Sequence, residues 1–184
     1  MRLNINPNRM ELLKVRRRLI LARRGHKLLK DKQDELVRQF ILLLKKASDL
    51  RSEIEKKLLA LYKNYIMTKA VQSKIITDYL ISSSEQKVEV ERSQKIFMNI
   101  PLVEFSLNFP QTPSDEQYNF FNASSKMDFV ISNAKELLPQ IINLSQSEFQ
   151  LRLLALEIER TRRRVNALEY IFIPSLLETT KYIT

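Results

Sequence analysis

The sequence predicts an all-α-dominated fold, a long two-helix antiparallel coiled coil with a small β-hairpin and loop inserted in the middle. Three observations carry that expectation. The 184 residues include a single glycine, Gly25, whereas compact folds spend glycines on tight turns and positive φ angles. No proline occurs from Asn8 to Tyr79, a stretch rich in the helix formers Leu, Lys, Arg and Glu. Apolar residues in both the first and the last segment recur at alternating spacings of three and four, the heptad signature of a left-handed supercoil.

The first segment, residues 1–81, is expected to be one long helix. Asn6 or Asn8 is its candidate N-cap, with Pro7 inside the first turn if Asn6 serves. The seam runs Leu12, Val15, Leu19, Ala22, His26, Leu29, Gln33, Leu36, Phe40, Leu43, Ala47, Leu50 and Ile54, interrupted only by the polar His26 and Gln33. Beyond Ile54 it continues less strictly through Leu58, Leu61 and Tyr65, the mark of a stutter. A helix of about 70 residues rises about 100 Å.

Residues 82–125 break the pattern. Ser82-Ser83-Ser84 ends the helix, and Val88-Glu89-Val90-Glu91 alternates with period two. Ile100-Pro101-Leu102-Val103-Glu104-Phe105-Ser106-Leu107 does so less cleanly, so two short strands in a small hairpin are expected. Pro101 confines its strand to an edge. Pro110 and Pro113 read as a loop.

Residues 126–184 are helical again. The seam is read through Met127, Val130, Ala134, Leu137, Ile141, Leu144, Glu148, Leu151, Ala155, Ile158, Arg162, Val165, Glu169, Phe172, Leu176, Thr179 and Ile183. Pro139 and Pro174 each remove a backbone hydrogen bond and are expected to bend the helix without separating domains. Folding the second seam back on the first, with Leu12 facing Ile183, sets Phe40 opposite Ala155 and Ile54 opposite Ile141. His26 then faces Glu169 and Gln33 faces Arg162, so the polar interruptions meet one another, as buried polar groups require; a register shifted by one heptad would instead bring His26 near Arg162.

Composition excludes much chemistry. One glycine cannot build a phosphate-cradling loop. His26 is the only histidine and cysteine is absent, so histidine clusters, thiolate metal sites and disulfides lack members. The carboxylates sit mainly on flanking helix positions, as partners for Lys and Arg four residues away. No catalytic residue, cofactor site or metal site is therefore expected. No run of about 18 apolar residues could span a bilayer, and Met1 to Arg9 lacks the apolar stretch of a secretory signal. The formal charge of +10 favours acidic surfaces: nucleic acid, anionic lipid or an acidic protein cavity. It concentrates in Arg16, Arg17, Arg18, Arg23, Arg24 and Lys27 near one end and Arg162, Arg163 and Arg164 near the other, and antiparallel pairing brings these clusters to the same end.

Longer runs narrow the choice. Asn6-Pro7-Asn8-Arg9-Met10-Glu11-Leu12, Gly25-His26-Lys27-Leu28-Leu29-Lys30-Asp31-Lys32 and Asp34-Glu35-Leu36 closely resemble the opening of the V-type ATPase D-subunit family. Thr161-Arg162-Arg163-Arg164-Val165-Asn166-Ala167-Leu168-Glu169-Tyr170, Ile173-Pro174 and Leu177-Glu178-Thr179 resemble its C-terminal signature. The resemblance implies a non-catalytic central rotor shaft standing inside a hexamer of alternating catalytic and non-catalytic subunits. ATP hydrolysis would turn it to drive a membrane ring that carries protons or sodium ions, and the reverse would serve synthesis. It implies a cytoplasmic location, peripheral to the membrane and without direct insertion, and no nucleic acid partner. The arginine clusters would face the hexamer. The hairpin residues Val88, Val90, Leu102, Val103 and Phe105, with the Ile54 to Tyr79 region, would face the F subunit, and a socket-like subunit would join the lower end to the ring. Family members usually continue past the position of Thr184, where this sequence ends. The alternative reading is a basic coiled-coil adaptor that binds anionic lipid or nucleic acid, with steep salt dependence.

Overall fold

A computed structural model describes residues 6–83, 88–108 and 125–184. The loop expected around Pro110 and Pro113, and Ser84, lie outside these residues. Helix α1 spans Arg9–Val71 and α2 Lys74–Ser83. Strands β1 (Glu89–Phe97) and β2 (Ile100–Asn108) form the hairpin. Helix α3 covers Ser125–Ala167, a π-helical turn covers Leu168–Phe172, and α4 covers Ile173–Ile183.

At the start of α1, the Asn8 carbonyl accepts the Leu12 N–H at 2.9 Å. Asn8 is thus the N-cap residue, and Pro7 precedes the helix. The expected single helix over residues 1–81 is divided at Gln72-Ser73. The Ser73 carbonyl accepts both the N–H and the hydroxyl of Thr77, at 3.1 Å each, so Ser73 opens a new helix instead of continuing the old one. A serine that competes locally for backbone groups favours such a boundary over a helix interior.

The chain forms two compact units: Met1–Leu42 with Arg152–Thr184, and Leu43–Leu151. In the first, α1 lies antiparallel to the end of α3 and to the π turn that follows it. His26 meets Glu169, and Lys32, six residues on, meets Glu157, twelve residues back. Val15, Leu36, Leu154, Thr161, Val165, Leu176 and Thr179 form its core. In the second unit Arg51 reaches Glu148 and Lys57 reaches Gln140, again antiparallel. Ala47, Ile54, Thr68, Leu80, Met127, Val130 and Leu137 are buried there. The remaining α1 seam residues Leu12, Leu19, Leu29, Phe40, Leu43 and Leu50, with Leu151 and Ile158 of α3, are half-buried. Two paired helices cover only a narrow stripe of each other's surface. Thr68, Thr77 and Thr179 enter the core because each hydroxyl donates to the carbonyl four residues back.

Seven residues of the seam read in the last segment are placed otherwise than expected: Ala134, Ile141, Glu148, Ala155, Arg162, Glu169 and Phe172 are exposed. A three–four pattern through Leu151, Ile158 and Val165 can run on either side of those positions. The larger apolar Leu154 takes the interior place in preference to Ala155, and Thr161 does so in preference to Arg162, whose charge would be costly to bury. Around Ile141, Leu137 is buried and Gln140 and Leu144 are half-buried. Phe172 belongs to the π turn.

In the hairpin, β1 pairs with β2 from Glu89↔Asn108 to Phe97↔Ile100. The strand therefore extends through Arg92-Ser93-Gln94-Lys95, where no alternation announces it. Met98 and Asn99, with φ of 48° and 68°, make the two-residue turn, and both angles lie in the left-handed region that hairpin turns of this length require. Pro139 sits half-buried within an unbroken α3.

Candidate functional site

The net charge is not shared between the units. Residues 1–42 and 152–184 hold 18 lysines and arginines against 8 acidic residues, which accounts for all of the +10. Residues 43–151 hold 13 of each and are neutral.

Arg16, Arg17, Arg18, Arg23, Arg24 and Lys27 are exposed on α1, as are Arg162, Arg163 and Arg164 on α3. Among the described residues, Arg163 pairs with Glu159, and no acidic side chain pairs with the other eight. Unpaired like charges on neighbouring turns repel, so this surface is held open at an electrostatic cost that an acidic partner would relieve. The arginines also alternate with exposed apolar side chains. Arg17, Ile20, Leu21 and Arg24 line a shallow recess of 320 Å³, with Ile20 54% and Leu21 71% exposed.

The helices are tied by polar side-chain pairs. The Lys32 ammonium donates to Glu157 at 3.0 Å with both side chains largely covered, and Nε2 of His26 lies 3.4 Å from Oε2 of Glu169. Along α1, Arg38 donates through Nε and Nη2 to Glu35, which also accepts from Gln39. The Arg38 hydrogen bonds, then that of Gln39, hold the Glu35 carboxyl below the usual carboxylate range. Lys57 does the same for Glu53.

The neutral unit offers a different surface. Leu58, Tyr62 and Ile66, four residues apart on α1, are 48%, 59% and 48% exposed, and Ile75 and Tyr79 repeat that spacing on α2. Ile54 is buried. A groove of 240 Å³ lies beside them, lined by residues that include Lys57, Leu61, Asn64, Phe129, Glu136 and Gln140. Of the hairpin candidates, Val103 is buried and Val88, Leu102 and Phe105 are half-buried, while Val90 is exposed. The reason is a clasp. Gln146 and Gln150, one turn apart on α3, reach the β2 backbone: the Gln146 side-chain oxygen accepts the Phe105 N–H at 2.8 Å, and the Gln150 amide donates to the Val103 carbonyl at 3.0 Å. β2 is thus docked, and the outward face belongs to β1, with Val90 and Ile96 exposed.

Sequence reasoning missed Lys32, Glu157, Gln146 and Gln150. Their only signal is position: the first two flank the seams, where cross-helix pairs form, and the glutamines share one helix face at i, i+4. Among the described residues, no group of three or more His, Cys, Asp or Glu could hold a metal ion, and no helix is long and apolar enough to cross a membrane.

Residues 11–184 match the family model for the D subunit of ATP synthase. The V-type ATP synthase D subunit of Clostridium botulinum (strain Alaska E43 / Type E3) is 45% identical over 99% of this chain and 87% of its own length. The protein of the same description from Clostridium botulinum (strain ATCC 19397 / Type A) is 42% identical over 100% and 86%. That from Enterococcus faecalis (strain ATCC 700802 / V583) is 38% identical over 99% and 87%.

Proposed function

The chain belongs to the ATP synthase D-subunit family, and on that footing we propose that it is the central rotor shaft of a V-type ion-translocating ATPase. It transmits torque between a catalytic hexamer and a membrane ion ring and performs no catalysis itself. The observation that carries this reading is the confinement of the whole +10 to one unit, where eight exposed cations lack an acidic partner among the described residues.

A shaft needs two things from its side chains. It must resist twisting, and helices held by a buried seam and cross-linked by Lys32–Glu157 do so better than a single helix. It must also present different faces to the subunits around it. The arginine surface, interrupted by Ile20 and Leu21, serves the hexamer of catalytic and non-catalytic subunits. The exposed apolar faces of Leu58, Tyr62 and Ile66 and of Ile75 and Tyr79, together with Val90 of the hairpin, serve the F subunit, and a socket-like subunit completes the link to the membrane ring. The complex lies on the cytoplasmic side as a peripheral assembly, carrying protons or sodium ions.

Co-expression with the hexamer subunits and the F subunit tests the proposal. A stoichiometric complex containing this chain is expected, with ATP hydrolysis only when the catalytic subunit is present. Steeply salt-dependent binding to DNA or anionic vesicles, without incorporation into the hexamer, would favour the adaptor reading instead.

A further inference from the structure

The hairpin is docked along one edge and open along the other. In an antiparallel pair, alternate residues turn both backbone groups toward the partner strand or away from it. The Phe105 N–H and the Val103 carbonyl are taken by Gln146 and Gln150, so both residues turn away from β1. Arg92 and Gln94, which lie opposite them, turn away from β2 in the same manner, and Val90 and Ile96 share that orientation. Pro101, opposite Ile96, agrees with it, because the N–H that proline lacks would have faced outward. Among the described residues the sheet has only two strands. The outer edge of β1 therefore presents the N–H and carbonyl groups of Val90, Arg92, Gln94 and Ile96 with no strand to receive them.

Sheet edges are commonly blunted by proline, a bulge or repelling charges. β2 has Pro101 and the glutamine clasp, whereas β1 has neither, and all its residues except Phe97 are exposed. Its charges are mixed in sign: Glu89 and Glu91 precede Arg92 and Lys95. Lys95 comes no nearer to Glu104 than 3.9 Å, and Glu91 and Arg92 have no ion pair among the described residues.

This order of residues is self-complementary. Set antiparallel to itself about Ser93, β1 places Val90 against Ile96, Glu91 against Lys95 and Arg92 against Gln94, each pair occurring twice. The outward-turned residues 90, 92, 94 and 96 then meet one another, as a hydrogen-bonded ladder requires. Val90 and Ile96, 52% and 76% exposed, cover each other. Sliding the strands by one step of the pleat sets Arg92 against Arg92 in one direction and Glu91 against Phe97 in the other, so one register is favoured.

We propose that β1 pairs with β1 of a second copy of this chain, making a four-stranded antiparallel sheet in the order β2-β1-β1-β2. Both outer edges are then β2 strands held by Gln146 and Gln150, so growth stops at two copies. The pairing does not rest on the rotor reading. Because Val90 is assigned there to the F subunit, the pair belongs to the chain outside the assembled rotor.

Sedimentation velocity of the full chain across a concentration series is expected to show a reversible monomer–dimer equilibrium without larger species. Glu91→Lys or Lys95→Glu alone sets like charges opposite each other and should weaken the dimer about tenfold. The double swap restores it, and mixing the two single variants yields a mixed dimer. Gln94→Pro removes an N–H that the β1–β2 ladder does not use and should abolish the dimer with the melting temperature nearly unchanged. Ser93→Cys, the sole cysteine of its chain, should form one intermolecular disulfide on mild oxidation, since non-hydrogen-bonded partners have Cα atoms about 4.5 Å apart. Restoration by the double swap supports the pairing even if Gln94→Pro fails to fold. A chain that stays monomeric at every concentration, and so leaves the edge to a strand of another protein, overturns it. So does a dimer indifferent to the charge swaps, or association that continues beyond two copies.

Discussion

The two units pair their helices by the same means and differ in what they leave on the surface. Met1–Leu42 with Arg152–Thr184 carries the whole +10 and exposes arginines without partners, whereas Leu43–Leu151 is neutral and pairs Arg51 with Glu55 and Lys57 with Glu53. Buried seams account for association of the helices in either unit. Charge placement is a separate layer, written on the remaining positions, and a chain that needed only to fold would have no reason to concentrate it. The packed seam and the exposed charge thus occupy different faces of one helix.

If packing is common to both units, removing a core side chain should cost the same in each. Leu36→Ala and Ile54→Ala, one buried in each unit, are each expected to lower stability by about 2–5 kcal/mol, measured by urea denaturation. A loss confined to one variant would mean that the units are not held alike. Glu157→Ala is expected to cost about 1–2 kcal/mol, because it leaves the largely covered Lys32 without its acceptor; the same experiment with Glu55→Ala, fully on the surface, should give less than about 1 kcal/mol. Gly25→Ala probes the first unit in the other direction. Its helical position has open space for a Cβ, so a gain of about 0.5–1 kcal/mol is expected in thermal melts.

The smallest effect concerns acid. The Glu35 and Glu53 carboxyls are held below the usual carboxylate range by their donors. Their contribution is fully present above the unfolded-state carboxylate pKa and is lost as pH falls through the lower folded-state values. Both groups are open to solvent, so the double variant Glu35→Gln/Glu53→Gln should flatten the acid limb of the stability profile only slightly, and equally for one site in each unit.

Much of this fold is legible in the sequence, because long seams repeat a strong signal. Leu36 and Ile54 announce themselves by spacing and size. Periodicity fails where two residues compete for one place. Leu154 and Ala155 fit the same three–four pattern, and only relative hydrophobicity decides between them. It fails again where cross-chain bonds set the structure: Arg92-Ser93-Gln94-Lys95 is polar throughout, yet pairing with β2 makes it strand. The π turn hides in an apolar run, Tyr170-Ile171-Phe172-Ile173, where no spacing marks it. Of the candidate site, the arginine clusters are plain from composition. Their lack of partners is not, since it depends on Glu159 turning to Arg163 and Glu157 to Lys32. The exposure of the hairpin residues is equally hidden, because nothing local marks Gln146 and Gln150 as the clasp that turns Val103 inward.

Rotation watched in single reconstituted complexes bears most closely on the shaft reading, with a bead fixed to this chain at β1 and the hexamer held on a surface. The bead should turn in one direction while ATP is hydrolysed, and Arg162→Gln/Arg163→Gln/Arg164→Gln should weaken coupling while the isolated chain keeps its helical signal and its melting temperature nearly unchanged. A bead that stays still on complexes that hold this chain and hydrolyse ATP at the full rate would contradict the account.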